Sequence, residues 1–509
     1  MVDKQVVDVE YMFNGMEESC IIGPFSAWGS PLSAQDVVRM DVVDFEGPDD
    51  PAHPLNWTAR HKTIAITIIS INALLSPVGS TISAAAAPAI MAELGGTSDA
   101  LGALMTTIYL VGYAFGPFLI APLSELYGKR IVFRVCAVLF CVFNIACALA
   151  NTLPSLIAYR LLTGIAGSCP GTLGASSIAD MIPRERRGTA MAAYVLGPTF
   201  GPTLGPIIGG NLTPVAGWRW GFWLMAIASG VVAVLLWAFV RESYPYAILK
   251  HKTARLRRET GDPTLRSALD KGDKTPRQLF AVAIMRPFKM LLSPVVFLQS
   301  AYAAVVYSYA YLCFTTFPRV FRDQYGFGSG AAGLASLGLG LGFLVGLVFC
   351  MLVSDRWAAY LARKYGATCA GGGIAKSEYR LPPMFVGAVL APVGLFWYGW
   401  AAEARVHWIA PIMGTAVLGV GIVIIYSTSA TYLVDAYSIY SASVMAASAT
   451  LRCFTGALLP LAGPAMFDRL GVGWGNSVLG FIAIGFIPLP IVLYYQGERI
   501  RRQKIWFSY

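Results

Sequence analysis

The chain has 509 residues, of which 56% are hydrophobic and only 13% are charged. Soluble domains carry about 25% charged residues, so this composition excludes an ordinary soluble protein and indicates a polytopic membrane protein. The formal net charge of +10 comes from short basic segments between apolar runs, which is typical of membrane topology and not of a nucleic-acid-binding surface.

Residues 1–56 are polar and acidic. A cleaved signal peptide is not expected, because the segment after Met1 lacks the apolar region that such a peptide needs. We expect this segment to be a disordered cytosolic tail. Apolar runs of membrane length follow, since each span needs about 20 residues. We predict spans at 62–83, 101–122, 131–150, 156–178, 189–211, 219–240, 292–316, 330–353, 381–401, 407–430, 440–466 and 474–496.

Lysine and arginine cluster in alternate segments between the spans. The positive-inside rule therefore places both termini and the polar segment 241–290 in the cytosol. Asn211 begins a glycosylation sequon on the outer side, but the short loop and the proline that follows the sequon, Pro214, disfavour its use.

The segment 241–290 divides the spans into two sets of six. This layout predicts an all-α membrane protein with two six-helix bundles, 57–240 and 291–497, joined by a cytosolic linker, 241–290, and followed by a basic cytosolic tail, 498–509. The linker begins with a basic amphipathic pattern. That pattern fits a helix lying on the inner leaflet, and a solvated connection fits it almost as well.

Predicted span five contains the stretch GPTFGPTLGPIIGG at 197–210. Glycines at every fourth position lie near one face of a helix, and small residues let a second helix approach closely. The interior prolines remove backbone hydrogen bonds, which neighbouring helices must replace in a bilayer. One interpretation is a packing helix; the other is a bent helix that closes a pathway on one side of the membrane.

The loop between spans two and three reads A-P-L-S-E-L-Y-G-K-R over residues 121–130, followed by Arg134. It resembles the signature loop of the major facilitator superfamily, in a form associated with fungal drug:proton antiporters. The resemblance implies the major facilitator fold, with bundles related by pseudo-twofold symmetry. We expect Glu125 to pair with Lys129, Arg130 or Arg134 and Gly128 to permit the tight bend. A simple positive-inside anchor would explain the basic residues but not Glu125 with Gly128.

Arg160 begins an R-x-x-x-G pattern in span four that resembles a second signature of the superfamily. Placing an arginine in a span costs about 2.5–3.5 kcal/mol on insertion scales, so we expect it to face the central cavity, find a partner and contribute to coupling. The alternative is an arginine that extends to the outer headgroups.

The glycine and proline stretch matches the superfamily's G-P-x-x-G-G motif, which marks antiporters. The residues that carry this match and its preceding turn are Gly201, Pro202, Gly205, Pro206, Gly209 and Gly210. Further matches cover the chain from Asp50 to Pro460. The resemblance implies export driven by a proton gradient, with no other cofactor.

A cavity for organic compounds needs aromatic side chains and a few polar groups. The candidates are Asn72, Tyr109, Tyr113, Gln299, Tyr302, Tyr307 and Tyr426. The spans carry almost no carboxylate away from their ends, so we expect neutral or amphiphilic substrates before polyamines.

The leading hypothesis is a proton-coupled exporter of drugs, fungicides or secondary metabolites at the fungal cell membrane, with the vacuolar membrane left open. We expect a monomer whose partners are a small organic substrate, protons and lipid, and no nucleic acid. The alternatives are a facilitator or symporter for nutrient uptake and a non-transporting membrane sensor. An enzyme is disfavoured because no nucleophile–base pair or metal-ligand spacing is visible.

Overall fold

The computed structural model describes residues 42–47, 49–96, 98–183, 187–269, 276–364, 376–437 and 441–502. Within them the chain forms helices and one two-stranded sheet. The elements are β1 (Val42–Val43), α1 (Ala59–Leu94), α2 (Asp99–Tyr127), α3 (Lys129–Ala148), α4 (Leu153–Gly167), α5 (Cys169–Met181), α6 (Arg187–Ala216), α7 (Arg219–Phe239), α8 (Pro245–Thr260), β2 (Arg266–Ser267), α9 (Pro276–Leu291), α10 (Pro294–Tyr325), α11 (Ser329–Leu334), α12 (Ser336–Lys364), α13 (Pro382–Glu403), α14 (Ile409–Ala436), α15 (Ser441–Gly485) and α16 (Pro488–Arg502).

In the described part of the chain, nine helical stretches are long and apolar enough to cross a membrane. Twelve spans were predicted, and each falls on helix. Three of the predicted spans account for the difference. Span four is divided at Ser168 into α4 and α5, which are each too short, and proline and glycine lower the hydropathy of α6, which carries span five. The last two spans form one continuous helical stretch with a kink at Gly471 and are counted once.

Two groups of helices pack among themselves. In the first, α1 lies along α6, α2 along α4 and α3 along α7; in the second, α10 lies along α15, and α14 packs between α12 and α13. Two seams join the groups, one between α6 and the α11–α12 pair and the other between α2 and α15. We call the side of the bundle that carries α8 and α9 the linker side, and the opposite side the distal side.

The end of the predicted N-terminal tail is folded onto the linker. Val42 and Val43 pair in parallel with Arg266 and Ser267, and the carboxylate of Asp50 accepts hydrogen bonds from the backbone N–H groups of Glu46 and Ala52. These bonds lower the pKa of Asp50. Residues 42–56 therefore depart from the expected disorder, whereas residues 1–41 lie outside the described residues. In the linker, α8 is a helix, and its position on the inner leaflet stays a prediction.

Candidate functional site

The glycine face of α6 lies directly against α1. A Cβ atom added at Gly205 would lie 2.0 Å from Thr81 Oγ1, and one added at Gly209 would lie 2.2 Å from the carbonyl oxygen of Ile82. Gly201 is almost as close to α1, with 3.0 Å to the carbonyl oxygen of Leu74. A side chain at any of these positions would push the two backbones apart.

Thr81 also compensates for one of the prolines. Pro206 has no N–H, so the carbonyl of Pro202 lacks its partner in the helix. The Thr81 hydroxyl donates to that carbonyl oxygen at 2.8 Å. A neighbouring helix thus replaces the lost backbone bond, as the bilayer environment requires.

The opposite face of α6 forms the distal end of a seam between the two groups of helices. A Cβ atom at Gly210 would lie 2.5 Å from the carbonyl oxygen of Ser329, and one at Gly333 would lie 2.3 Å from that of Pro206. Ser336 Oγ donates to the carbonyl oxygen of Thr203 at 3.1 Å. This single helix therefore holds α1 on one face and the second group on the other.

The sequon at Asn211 lies inside α6 and not in a loop, because the helix continues to Ala216. The Asn211 amide donates to the carbonyl oxygen of Ile207 at 2.8 Å, and a Cβ atom at Gly330 would lie 2.7 Å from Asn211 Oδ1. The amide is thus engaged in the helix and faces α11 across the seam.

A charge cluster forms where α2 turns into α3, and it includes the carboxylates of Asp180 and Glu242. Lys129 Nζ lies 2.7 Å from Asp180 Oδ2. Glu242 accepts hydrogen bonds from the backbone N–H groups of Lys129 and Arg130, at 3.1 and 2.9 Å, and so caps the start of α3. Glu125 has an exposed side chain, and its pairing with Lys129, Arg130 or Arg134 stays a prediction.

The turn itself depends on Gly128, as expected. Its φ is +91°, and a Cβ atom there would lie 2.5 Å from a carboxylate oxygen of Glu242. Arg134 donates to the carbonyl oxygen of Trp237 at 2.6 Å and stacks over that residue's ring. The basic residues of the loop therefore bind α5, α7 and the segment after α7, all on the linker side.

A similar cluster lies at the corresponding place in the second group. Arg380, before α13, pairs with Asp435 at the end of α14, as Lys129 pairs with Asp180. Arg501, in α16, pairs with Glu378 and occupies the place that Glu242 has in the first cluster. The two clusters repeat one arrangement with some charges exchanged, which fits an internal duplication.

Arg160 is completely buried, with 0% of its surface exposed, so the alternative of an arginine reaching the headgroups is wrong. Its guanidinium donates to the carbonyl oxygens of Met105, Gly79 and Ser80 at 3.0, 2.5 and 2.8 Å. It also lies over the ring of Tyr109, 5.0 Å from the centroid. Its partners are backbone carbonyls of α1 and α2, which sequence alone did not identify.

Four of the seven cavity candidates pack in the interior of their own group of helices, two in the first group and two in the second. Tyr109 bonds Ser76, with 2.8 Å between the hydroxyl oxygens; Gln299 donates to Ser429 Oγ at 3.1 Å; and Tyr302 stacks on Phe486. Asn72 lines a cavity of about 10 Å³ within the first group, which is room for about one water molecule. Their burial indicates packing positions.

The other three candidates, Tyr113, Tyr307 and Tyr426, come together around Arg452. The guanidinium carbon of Arg452 lies 4.6 Å from the ring centroids of both Tyr307 and Tyr426. Tyr113 is among the groups that interact electrostatically with it from the first group of helices. All four side chains are only partly buried, although each lies 10–14 residues inside its helix from the linker side.

Comparison with known families agrees with this architecture. The model of the Major Facilitator Superfamily matches residues 69–460, which span both groups of helices, both seams and Arg452. The chain belongs to the major facilitator superfamily. Its function is therefore transport across a membrane, and it is a multi-pass membrane protein of the all-α major facilitator fold.

Its relatives are fungal transporters. The chain is 50% identical to the MFS-type transporter penM of Penicillium rubens, over 91% of this chain and 89% of the relative. It is 46% identical to the MFS-type transporter atr4 of Stereocaulon alpinum, with coverage of 92% and 84%. It is also 42% identical to the efflux pump radE of Floropilus chiversii, with coverage of 91% and 85%. These similarities identify it as a fungal superfamily transporter of the efflux type.

Solved structures show the fold. A D-xylose-proton symporter superposes with a TM-score of 0.60 and 16% identity, covering 84% of this chain and 98% of the other. A bacterial homologue of the lysosomal transporter Spinster, inward-facing and unoccupied, gives a TM-score of 0.60 with 16% identity, covering 87% and 98%.

Sequence reasoning missed Glu242 and Arg452 as site residues. Glu242 follows α7 at a position where a carboxylate is unremarkable, and only the folded chain brings it to α3. Arg452 had a signal, because an arginine in the middle of an apolar span is costly wherever it occurs. That argument selected Arg160 and applied equally to Arg452.

Proposed function

We propose that the protein exports small organic compounds by alternating access, with the two bundles, 57–240 and 291–497, rocking about a site between them. The proposal rests most directly on α6. Its glycine face fixes it to α1, while its opposite face forms the distal seam with α11 and α12. Movement of the first bundle must therefore open or close that seam.

The two charge clusters would act as latches on the linker side. The Lys129–Asp180 pair, the Glu242 cap and the Arg380–Asp435 pair tie helix ends together within each bundle. Partly buried charged pairs are costly to break by removal of one partner. Each bundle would therefore move as one unit when the linker side, which we place in the cytosol, opens.

Export, and not uptake, is supported by the G-P-x-x-G-G resemblance and by the similarity to an efflux pump. We propose that the proton gradient drives it and that both termini lie in the cytosol. The membrane would be the cell membrane, with drugs, fungicides or secondary metabolites as the substrate class and no further cofactor. Arg160 would contribute by holding α1, α2 and α4 as one unit.

The test is efflux from yeast cells that lack their main pumps. Cells expressing the protein would be loaded with azoles, dyes and fungal toxins, with and without a protonophore. We expect efflux of at least one compound that stops with the protonophore and in the variants Arg160→Ala and Gly205→Leu. If the loaded compound instead equilibrated across the membrane in both directions, at a rate that the protonophore does not change, the protein would be a facilitator. Binding of the compound without any flux would indicate a sensor.

A further inference from the structure

Two arginines lie in the middle of helices, Arg160 fully buried and Arg452 partly buried, and they differ in their hydrogen bonding. Arg160 satisfies its guanidinium with three backbone carbonyls. Arg452 donates no side-chain hydrogen bond and forms no ion pair among the described residues, and its Nε is buried without a partner. A guanidinium has five N–H donors and no acceptor, so such a group lacks much of its usual hydrogen bonding.

The surroundings of Arg452 are aromatic, and no carboxylate of the described residues forms an ion pair with it. The rings of Tyr307 and Tyr426 lie on the guanidinium at equal distances, with 4.6 Å from its carbon to each ring centroid. Asp435 lies nine residues further along α14 than Tyr426, which is about 14 Å of helix. The positive charge is therefore not neutralised by the chain around it.

The position of Arg452 is at the junction of the two bundles. It lies on α15, whose seam with α2 brings the ring of Phe115 against that of Phe454, with centroids 5.4 Å apart. One turn along α15, Gly456 leaves the space into which Tyr307 and Leu110 reach. Arg452 is eleven residues from the start of α15, which is about 16 Å along the helix.

We propose that Arg452 binds the anionic group of the substrate, so that this transporter carries organic acids with an apolar or aromatic body. The inference rests on the proposed function, because it assigns a substrate class to the same central site. A carboxylate, sulfonate or enolate would accept hydrogen bonds from the terminal N–H groups of the guanidinium, in its plane. Tyr113, Tyr307 and Tyr426 would supply contact area for the apolar part.

This substrate class narrows the sequence-based expectation of neutral or amphiphilic compounds. An organic cation would face the uncompensated charge of Arg452 without a carboxylate to offset it. A neutral compound would leave the charge of the guanidinium without a counterion. An acidic amphiphile meets both requirements, since it neutralises the charge and occupies the aromatic walls.

The test compares two dyes of related shape and different charge. The full-length protein in lipid nanodiscs would be titrated with anionic 1-anilinonaphthalene-8-sulfonate and with neutral N-phenyl-1-naphthylamine, and the signal of empty nanodiscs subtracted. We expect saturable binding of the sulfonate that weakens at least tenfold in Arg452→Gln. Binding of the neutral dye would change less than twofold in the same variant, which also shows that the variant is folded.

Arg452→Lys separates charge from geometry. It keeps the charge but loses the planar fork, so we expect the affinity for the sulfonate to fall between those of the wild type and Arg452→Gln. Equal weakening of both dyes would overturn the proposal and assign Arg452 a positioning role. Unchanged sulfonate binding in Arg452→Gln would overturn it as well. Because binding needs no flux, these outcomes are distinct from a failure of proton-driven export.

Discussion

Identical residues have different tasks in this molecule according to the partners that the fold supplies. Arg160 is enclosed by carbonyl oxygens of α1 and α2, whereas Arg452 lies between two tyrosine rings at the seam between bundles. Both arginines are visible in the sequence as costly residues within apolar spans. Their partners are not, because they come from positions 26 to 145 residues away in the chain.

Substitution of Arg160 should remove a structural clamp. In Arg160→Lys, a single ammonium replaces a fork that serves three carbonyls, so we expect a loss of most transport activity and a lower melting temperature. Hydrogen bonds to a charged group are worth about 1.5–3 kcal/mol each. Efflux rate and thermal unfolding of the purified protein would measure both effects.

Arg219→Lys is the matched control for that substitution. Arg219 pairs with Glu93 at the partly exposed start of α7, where an ion pair is worth about 0–1 kcal/mol. We expect near-normal transport and stability from it. If Arg160→Lys kept the same efflux rate and melting temperature as Arg219→Lys, the hydrogen bonds of Arg160 would not be needed for transport or stability, contrary to this prediction.

The glycine pattern of α6 predicts a face that a second helix can approach closely, because a period of four is a local property of the sequence. Its partner helix was not predictable, since any neighbouring span could have filled that role. The loop before α3 shows the same limit. Gly128 was identified from its local turn, but Glu242 is brought there by the return of the chain through four further helices.

Alanine at Gly205 should separate α6 from α1. The added Cβ would meet the backbone of α1, with 2.8 Å to the nitrogen of Ile82 as well as 2.0 Å to Thr81 Oγ1. Overpacking of this kind costs about 1–3 kcal/mol, and we expect a lower melting temperature together with slower efflux.

Gly230→Ala offers the comparison, since its Cβ would meet Cys141 Sγ at an ordinary 3.5 Å. We expect this variant to be as stable as the wild type or slightly more so, because glycine within a helix costs about 1 kcal/mol relative to alanine. Equal effects of the two substitutions would argue against a special role for the α6 face.

At the scale of the whole molecule, the two seams decide which side of the membrane can open. The two-bundle layout followed from the number of apolar runs and the polar linker, and the fold agrees with it. The seams could not be predicted, because they join helices from different halves of the sequence. Only the structure shows that α6 closes the distal side against α11.

A cross-link across the distal seam should stop transport reversibly. A Cβ atom added at Gly330 would lie 2.7 Å from Asn211 Oδ1, so the side chains at these two positions are close neighbours. The double variant Asn211→Cys, Gly330→Cys therefore places two thiols next to each other across the seam. We expect disulfide formation to abolish efflux and a reductant to restore it. Each single cysteine variant is the control, and transport that continued in the cross-linked protein would refute movement at this seam.

The most direct test of the account measures a concentration ratio in inside-out membrane vesicles. The compound exported best by yeast would be added with an imposed pH gradient, acid inside, and its internal and external concentrations compared at steady state. Proton-driven export predicts accumulation inside the vesicles well above the external concentration, lost when nigericin removes the gradient. A ratio that stays at one with the gradient in place would contradict the account and leave a facilitator.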